Sequence, residues 1–394
     1  MTSRDDQVVV LGGGILGCLT ALQCARRGIG VVLVDQEASL WSRASLANEG
    51  KVHLGLVYAL GSAETQQSML RDAVRFGPLV DEAFGEPVDW PRISTEGFAY
   101  IVMPESARTA PQLALTYQSI NDDYLGLGRP AYLGEHLESV VDLDPTTDEA
   151  SGLLSFHTFE RAVDPITLRA LALAAISRRP EITVRCATTA TSIESKGDHA
   201  LTTVRGAEGE STVRSMCVID CRWESQGMGV AGYRAPRRNI RVKAAVRAQT
   251  AHPVITATLV AGPFGDIVQH RDYVYLSWYP AARLHHEFTP AASGAAHDAL
   301  AGAASTDVIN AQLRALAQHR WIPDDITAIE GTGGFIVGEG PTDIDDPHSE
   351  LHNRAASRVL RHDRVILPLS LKFTSAPVAA STAAELAHEI VRDR

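Results

Sequence analysis

One stretch near the start constrains the fold of this chain more than any other. It runs Val8-Val9-Val10-Leu11-Gly12-Gly13-Gly14-Ile15-Leu16-Gly17, continues as a helical segment to Arg27, and reaches the strand Val31-Val32-Leu33-Val34-Asp35. The order reads as β-turn-α-β with Gly-x-Gly-x-x-Gly in the turn. Gly12 permits the tight turn, Gly14 lets a pyrophosphate approach the backbone, and Gly17 lets the helix pack closely on its strand. The orphan N–H groups at the helix start, around Ile15 and Leu16, together with the positive end of the helix dipole, suit a phosphate. Asp35 stands about 20 residues beyond the glycines, where a carboxylate accepts from both hydroxyls of a free ribose. With strand, helix and acid all in place, the stretch predicts a bound dinucleotide.

At 394 residues the chain suits two domains and buries a full core without staples. Its 45% hydrophobic and 21% charged content is that of an ordinary globular protein. A net charge of −11 argues against nucleic acid or anionic lipid as a partner. The densest basic cluster, Arg234, Arg237, Arg238 and Arg241, reads as a solvated loop before a strand. The five cysteines have no zinc-like spacing, and Cys18 and Cys24 read as buried thiols of the first helix, which points to a cytoplasmic protein. The uncharged run from Val8 to Ala25 is broken by three consecutive glycines and preceded by Asp5-Asp6, so no membrane span or signal peptide is expected.

Along the chain, the segment from Ser42 to Tyr58 combines glycines with several polar groups and suits backbone lying against a ligand. A helical pattern from Ala63 to Phe84 is expected to break or restart at Pro78. The stretch Val88 to Met103 turns strand-like, and a helix follows from about Ala107 to Leu125. Pro165 opens a helix to Arg178, Ile182–Arg185 follows as a strand, and a small antiparallel meander occupies 187–221. In the aromatic strand from Tyr273 to Tyr279, alternation puts Tyr273, Tyr275, Ser277 and Tyr279 on one face. Ala291 to Ala304 reads as a loop or weak helix start, and Val308 to His319 as a helix. The end carries Gly331-Thr332-Gly333-Gly334-Phe335 and then a strand, turn and capped helix from Val365 to Pro377, with Thr374 or Ser375 as N-cap. The fold class expected is α/β: a Rossmann-like nucleotide-binding domain from residues 1–86, 151–236 and 324–394, interleaved with an α+β substrate domain on a mostly antiparallel sheet from residues 87–150 and 237–323.

At these motifs the chain resembles the D-amino-acid-oxidase-like family of FAD-dependent oxidoreductases, which includes glycine and sarcosine oxidases and L-2-hydroxyglutarate dehydrogenases. Gly12-Gly13-Gly14-Ile15-Leu16-Gly17 with Asp35 is similar to its FAD fingerprint. The segment Ser45 to Tyr58, with Asn48, Gly50, His53 and Gly55, is similar to the flavin-facing segment of the hydroxy-acid branch. Val163-Asp164-Pro165 and Lys372-Phe373-Thr374-Ser375-Ala376-Pro377 resemble the return to the FAD domain and the turn under the isoalloxazine ring. The likeness covers the first and last 60 or so residues well. It departs after Val218, where relatives carry small residues and this chain has Asp220-Cys221-Arg222-Trp223.

The resemblance implies FAD as cofactor, with contacts at Gly12, Gly14, Ile15, Leu16, Gly17, Asp35, Gln36, Ser45, Asn48, Glu49, Gly50, Lys372, Phe373 and Thr374. The FAD is expected to be noncovalent, since the last cysteine is Cys221 and no histidine precedes Gly50 at the attachment position. The implied reaction moves a hydride to flavin N5 from a C–H bond next to nitrogen, in an amine or amino acid. A 2-hydroxy acid or another alcohol is the alternative, toward which the His53 neighbourhood leans. A non-catalytic FAD-binding sensor is a further one, suggested by Trp223. His53 is the candidate for the substrate's proton, and Lys372 with the helix start at Thr374 to Pro377 for the charge of the reduced ring. Tyr58, Tyr275, Trp278, Tyr279 and Arg283 are candidate substrate contacts, Arg283 as a carboxylate clamp. The partners expected are a small-molecule substrate and oxygen or another electron acceptor. No metal is expected, because Asp343, Asp345, Asp346 and His285-His286 lack ligand spacing.

Overall fold

The computed structural model describes residues 7–147, 152–353, 358–369 and 372–393. Its first sheet has six strands, in the order Arg358–His362, Val365–Leu369, Val218–Asp220, Gln7–Leu11, Gly30–Val34 and Ile182–Arg185. All neighbours are parallel except the first pair. The central strands read as unbroken apolar runs because both faces are covered. Val8, Val10, Val31 and Leu33 pack toward the helices, while Val9, Leu11, Val32 and Val34 pack toward the antiparallel meander of Thr189–Lys196, His199–Gly206 and Gly209–Ser215.

The first helix, Ile15–Arg26, lies against the last, Ala376–Arg392. Small residues on both, among them Cys18, Ala21, Ala380, Ala383 and Ala387, are fully buried and let the axes approach. All five cysteines are free thiols, and each except Cys186 is buried. Ser375 takes the N-cap position, with proline in the first turn. Ser370 and Leu371, within the expected C-terminal strand and turn, lie outside the described residues.

Among the described residues the second sheet has nine strands and is mostly antiparallel, with Ala99–Val102 and Ala257–Val260 as its one parallel pair. Its spine is Arg238–Gln249, which pairs with Arg283–Thr289, Val274–Trp278 and Thr327–Gly338. A short ladder between Lys51–Val52 and Arg161–Ala162 ties the segment after the first sheet to the chain that returns toward it.

Several elements differ from the sequence expectation. Ala63–Phe84 is one continuous helix with Pro78 inside it. The ring removes one N–H donor, and the buried face of Met69, Leu70, Ala73, Phe76 and Val80 holds the helix together across the gap. The strand Val274–Trp278 ends before Tyr279, which opens the short helix Tyr279–Ala282 with Pro280 in its first turn. Gly294–Ala301 is a helix capped by the Ser293 hydroxyl. The basic cluster is not a solvated loop throughout, because Arg238 and Arg241 lie within the spine strand and are buried. Leu154–His157 and Thr327–Gly338, grouped by the sequence reading with the nucleotide-binding segments, hydrogen-bond into the second sheet. In the latter, a Cβ on Gly334 would come within 2.8 Å of Ala44 Cα, so this glycine serves a close approach of strand to loop.

Candidate active site

One cavity of about 370 Å³ lies between the two sheets. On one side it is lined by the carboxyl ends of the parallel strands, at Leu11, Val34 and Cys221, and on the other by Arg241, Lys243, Thr258, Tyr275 and Phe335 of the antiparallel sheet. Of the candidate residues, Gly12, Gly14, Ile15, Leu16, Asp35, Gln36, Ser45, Asn48, Glu49, His53, Tyr275, Tyr279, Lys372 and Phe373 line it. Gly17, Gly50, Tyr58, Thr374, Trp278 and Arg283 are not in its lining.

At the glycine turn the backbone itself forms the wall. Gly12 has φ +92°, and a Cβ there would lie 2.8 Å from Cys221 O. A Cβ on Gly14 would lie 2.8 Å from Ser45 Oγ, which accepts from Ile15 N at 2.9 Å. A Cβ on Gly17 would land on Gly12 O, so this glycine shapes the turn from behind. The Asp35 carboxylate accepts from Gly13 N and from Glu37 N (2.7 Å). Burial raises its pKa, partly offset by those two N–H donors. A glycine cradle at a helix start, the cavity that Gly12, Gly14 and Ile15 line, and a carboxylate closing the second strand form a site that fits an FAD molecule.

The loop after this strand is shaped by its own side chains. Asn48 Nδ2 donates to Ala44 O (2.8 Å) and Ser45 O (2.9 Å), and its Oδ1 accepts from Gly50 N (2.7 Å). Gly50 has φ +79° and packs against Val163 O. From the second sheet, Arg247 Nη2 donates to Leu46 O (2.6 Å), and His270 Nε2 lies 3.2 Å from Glu49 O. Trp223 is tied to that sheet too, its indole N–H donating to Phe335 O at 3.2 Å.

Deeper in the cavity lies a dense set of charges. His53 is buried; its backbone N–H donates to Thr374 Oγ1 at 2.9 Å, and its Nδ1 lies 3.4 Å from Glu160 Oε1. Burial depresses the His53 pKa, Lys372 and Lys51 add to the effect, and Glu160 opposes it. Tyr58 meets the imidazole edge-on at 5.6 Å and lies below Lys372 Nζ, 5.7 Å from its ring centre. Lys51 Nζ donates to Thr258 Oγ1 and to Asp266 Oδ1 (2.7 Å), and lies 4.4 Å from the Phe98 ring centre. Lys243 Nζ is 3.9 Å from the other Asp266 oxygen. Burial alone would raise the carboxyls of Asp266 and Glu49, yet Lys51 and Lys243 hold both below the ordinary range.

Of the two arginines that pair with Asp343, the one that reaches the cavity is Arg241. It is 2% exposed; Nη1 donates to Tyr279 OH (3.0 Å) and Asp343 Oδ1 (3.2 Å). Its Nε and Nη2 have no hydrogen-bond partner among the described residues. Arg283 instead pairs with Asp343 Oδ2, away from the cavity lining. Asp343 is therefore occupied by two arginines and a tyrosine.

Sequence reading missed Glu160, Arg241, Lys51, Lys243 and Asp266. Two of them left a signal: Arg241 and Lys243 stand at i and i+2 in one strand, which puts two cations on one face. Glu160 left no signal beyond an acid between Phe159 and Arg161, three residues before Val163.

The chain matches the model of the FAD dependent oxidoreductase (DAO) family over residues 7–386 and belongs to that family. It is an FAD-dependent oxidoreductase with the fold of that family. It is 35% identical over 75 residues to a component of the anaerobic glycerol-3-phosphate dehydrogenase of Escherichia coli (strain K12), a match covering 18% of this chain and 14% of that one. To L-2-hydroxyglutarate dehydrogenase of Indibacter alkaliphilus it is 34% identical over 76 residues, covering 18% of this chain and 19% of the relative. The chain thus aligns with less than a fifth of either relative's length. Among solved structures, iminodiacetate oxidase from Chelativorans sp. BNC1 superposes with a TM-score of 0.66 at 17% identity, over 98% of this chain and 96% of that one. No described helix is long and apolar enough to cross a membrane.

Proposed function

We propose that this chain oxidises a small 2-hydroxy acid, removing the hydrogen from the carbon that carries the hydroxyl. The observation that carries the reading is His53, a buried imidazole lining the cavity and kept neutral at pH 7 by burial and by Lys372 and Lys51. An alcohol is a far weaker acid than an ammonium ion. An ammonium group sheds its proton far more easily than a hydroxyl does, so the alcohol has the greater need of a base at hand as the hydride leaves. Arg241 supports an acidic substrate, since it is a buried cation of the cavity lining whose Nε and Nη2 have no hydrogen-bond partner among the described residues. The two curated relatives are named for hydroxyl-bearing compounds, which agrees with this reading.

FAD, when bound, supplies the acceptor for the hydride and its two electrons. The cradle at Gly12, Gly14 and Ile15 would hold its pyrophosphate, Asp35 its ribose, and Lys372 with Phe373 the ring end. Arg241 anchors the substrate, His53 takes the hydroxyl proton, and the electron pair left on oxygen becomes the second bond of the product carbonyl.

An amino acid is the second reading, favoured by Glu49. This carboxylate lines the cavity, is held ionised, and would welcome a substrate cation. Anaerobic addition of separate pools of 2-hydroxy acids, amino acids and secondary amines to the yellow protein decides between them. Bleaching by the first pool alone is expected, bleaching by an amine pool alone overturns the reading, and no bleaching by any pool favours a sensor.

A further inference from the structure

The buried carboxylate of Glu160 has no task in binding. It is absent from the cavity lining and 0% exposed, and no lysine or arginine touches it among the described residues. Taking a carboxylate out of water is costly unless donors replace the water. Here three donors can converge on it. Leu54 N–H donates to Oε2 at 2.6 Å, Tyr100 O–H donates to Oε1, and His53 Nδ1 faces Oε1 at 3.4 Å. That last separation is long for a hydrogen bond, as catalytic contacts often are before substrate arrives.

We propose that Glu160, held by Tyr100 and the Leu54 amide, is the positioning residue of this site: it fixes His53 with the Nδ1 proton toward the carboxylate and the Nε2 lone pair toward the cavity, and serves as counter-charge when His53 is protonated. The geometry leaves little choice of tautomer. Were Nδ1 the unprotonated nitrogen, its lone pair would face a carboxylate oxygen inside a dry pocket. With the proton on Nδ1, Nε2 is the nitrogen left to accept from a substrate in the cavity that His53 lines. The proton step rests on the hydroxy-acid reading. The substrate O–H bond breaks, an Nε2–H bond forms, and a neutral imidazole beside an anionic glutamate becomes an imidazolium–carboxylate pair.

Tyr100 makes this arrangement rigid. Its ring is fully buried, packs edge-on against Tyr117 at 6.2 Å, and lies 5.7 Å from Lys51 Nζ. The strand Ala99–Val102 that carries it pairs with the spine side of the second sheet through Ala257–Val260. The carboxylate is thus clamped from the sheet opposite to the loop that carries His53. Besides Glu160, the charged groups facing His53 are Lys372, Lys51 and Glu49.

Glu160→Gln keeps the volume but must turn an amide N–H₂ toward one of the three donors. The test uses the FAD-loaded protein with ¹⁵N-labelled histidine, the His53 signals being assigned by their loss in His53→Gln. Without substrate, wild type is expected to show the Nδ1–H tautomer, and Glu160→Gln a mixture or the Nε2–H form. A wild-type Nε2–H tautomer would overturn the proposal whatever the substrate proves to be, so this failure is separable from that of the hydroxy-acid reading. With a substrate that bleaches the flavin, Glu160→Gln is expected to lower kcat by about 100-fold or more with little change in KM. The acid limb of its kcat/KM profile should move to lower pH, because an imidazolium without its counter-charge loses its proton more readily. Glu160→Asp should restore part of kcat, and Tyr100→Phe should lose less than Glu160→Gln. Full flavin content with an unmoved acid limb and wild-type kcat in Glu160→Gln would show that the carboxylate is only structural.

Discussion

Arg241 and Arg283 occupy adjacent strands and share one carboxylate, Asp343, yet only the first reaches the cavity. Their roles should separate in kinetics. Arg241→Lys replaces a planar fork with a point charge and is expected to raise KM by one to two orders of magnitude, roughly 1.4 to 2.8 kcal/mol, with a smaller effect on kcat. Arg283→Ala should leave KM within a few-fold of wild type, and a larger rise there would place the anchor on Arg283 after all. His270 makes a second case at this scale. Burial holds its pKa down at about 4 from an ordinary 6.5, with Arg247 adding to the effect and Asp164 opposing it. The folded state therefore resists a proton that the unfolded chain accepts. Stability from this histidine is full above about pH 6.5 and falls as pH drops toward 4, by an amount on the order of 3 kcal/mol. The gap in melting temperature between wild type and His270→Gln should therefore shrink over that window, and a gap that widens would contradict the buried neutral state.

At the scale of elements, the glycine turn and its helix show how tight backbone packing sets a binding surface. Gly17 faces a main-chain oxygen that cannot move without opening the turn, whereas Gly14 faces the end of a serine side chain. Gly17→Ala should therefore destabilise by about 3 kcal/mol or more and lose flavin. Gly14→Ala should keep most of the stability while weakening FAD binding, because its methyl enters the cradle. Thermal melts with flavin content measured on the same samples check this; equal loss of stability in both would refute it. The helix Ala63–Phe84 makes the opposite point, since the missing donor of Pro78 is outweighed by a buried stripe on one helix face.

The whole molecule brings two sheets against one cavity, and its loops are held from both sides. Arg247 and His270 reach from the antiparallel sheet to the carbonyls of Leu46 and Glu49, and Thr374 near the last helix holds the backbone of His53. FAD lying across this seam should stabilise both halves together. Reconstitution with FAD is expected to raise the melting temperature as one transition, with a stabilisation of roughly 2.7 kcal/mol at a free concentration 100-fold above Kd. The flavin should also leave the protein on acid precipitation. The one cysteine lining the cavity, Cys221, turns its thiol to Thr20 Oγ1 at 3.8 Å and is kept protonated by burial. Yellow colour retained in the pellet would mean a covalent link.

Much of the cofactor end was legible along the chain, because a Gly-x-Gly-x-x-Gly turn, its helix and an acid after the next strand are local in sequence and each follows from steric or hydrogen-bonding needs of a few consecutive residues. The same locality made the strands and helices of the first sheet readable from their apolar runs and caps. The inner site was not readable that way. Glu160 and Tyr100 are 107 and 47 residues from His53, and Arg241 acquires its meaning only when a strand from the second sheet buries it beside Tyr279 and Asp343. Sequence determined which side chains carry charge and which segments wind into a nucleotide-binding sheet. Tertiary structure decided which charges meet, because burial and contact between distant strands lower the pKa of His53 and put Arg241, not Arg283, in the cavity lining.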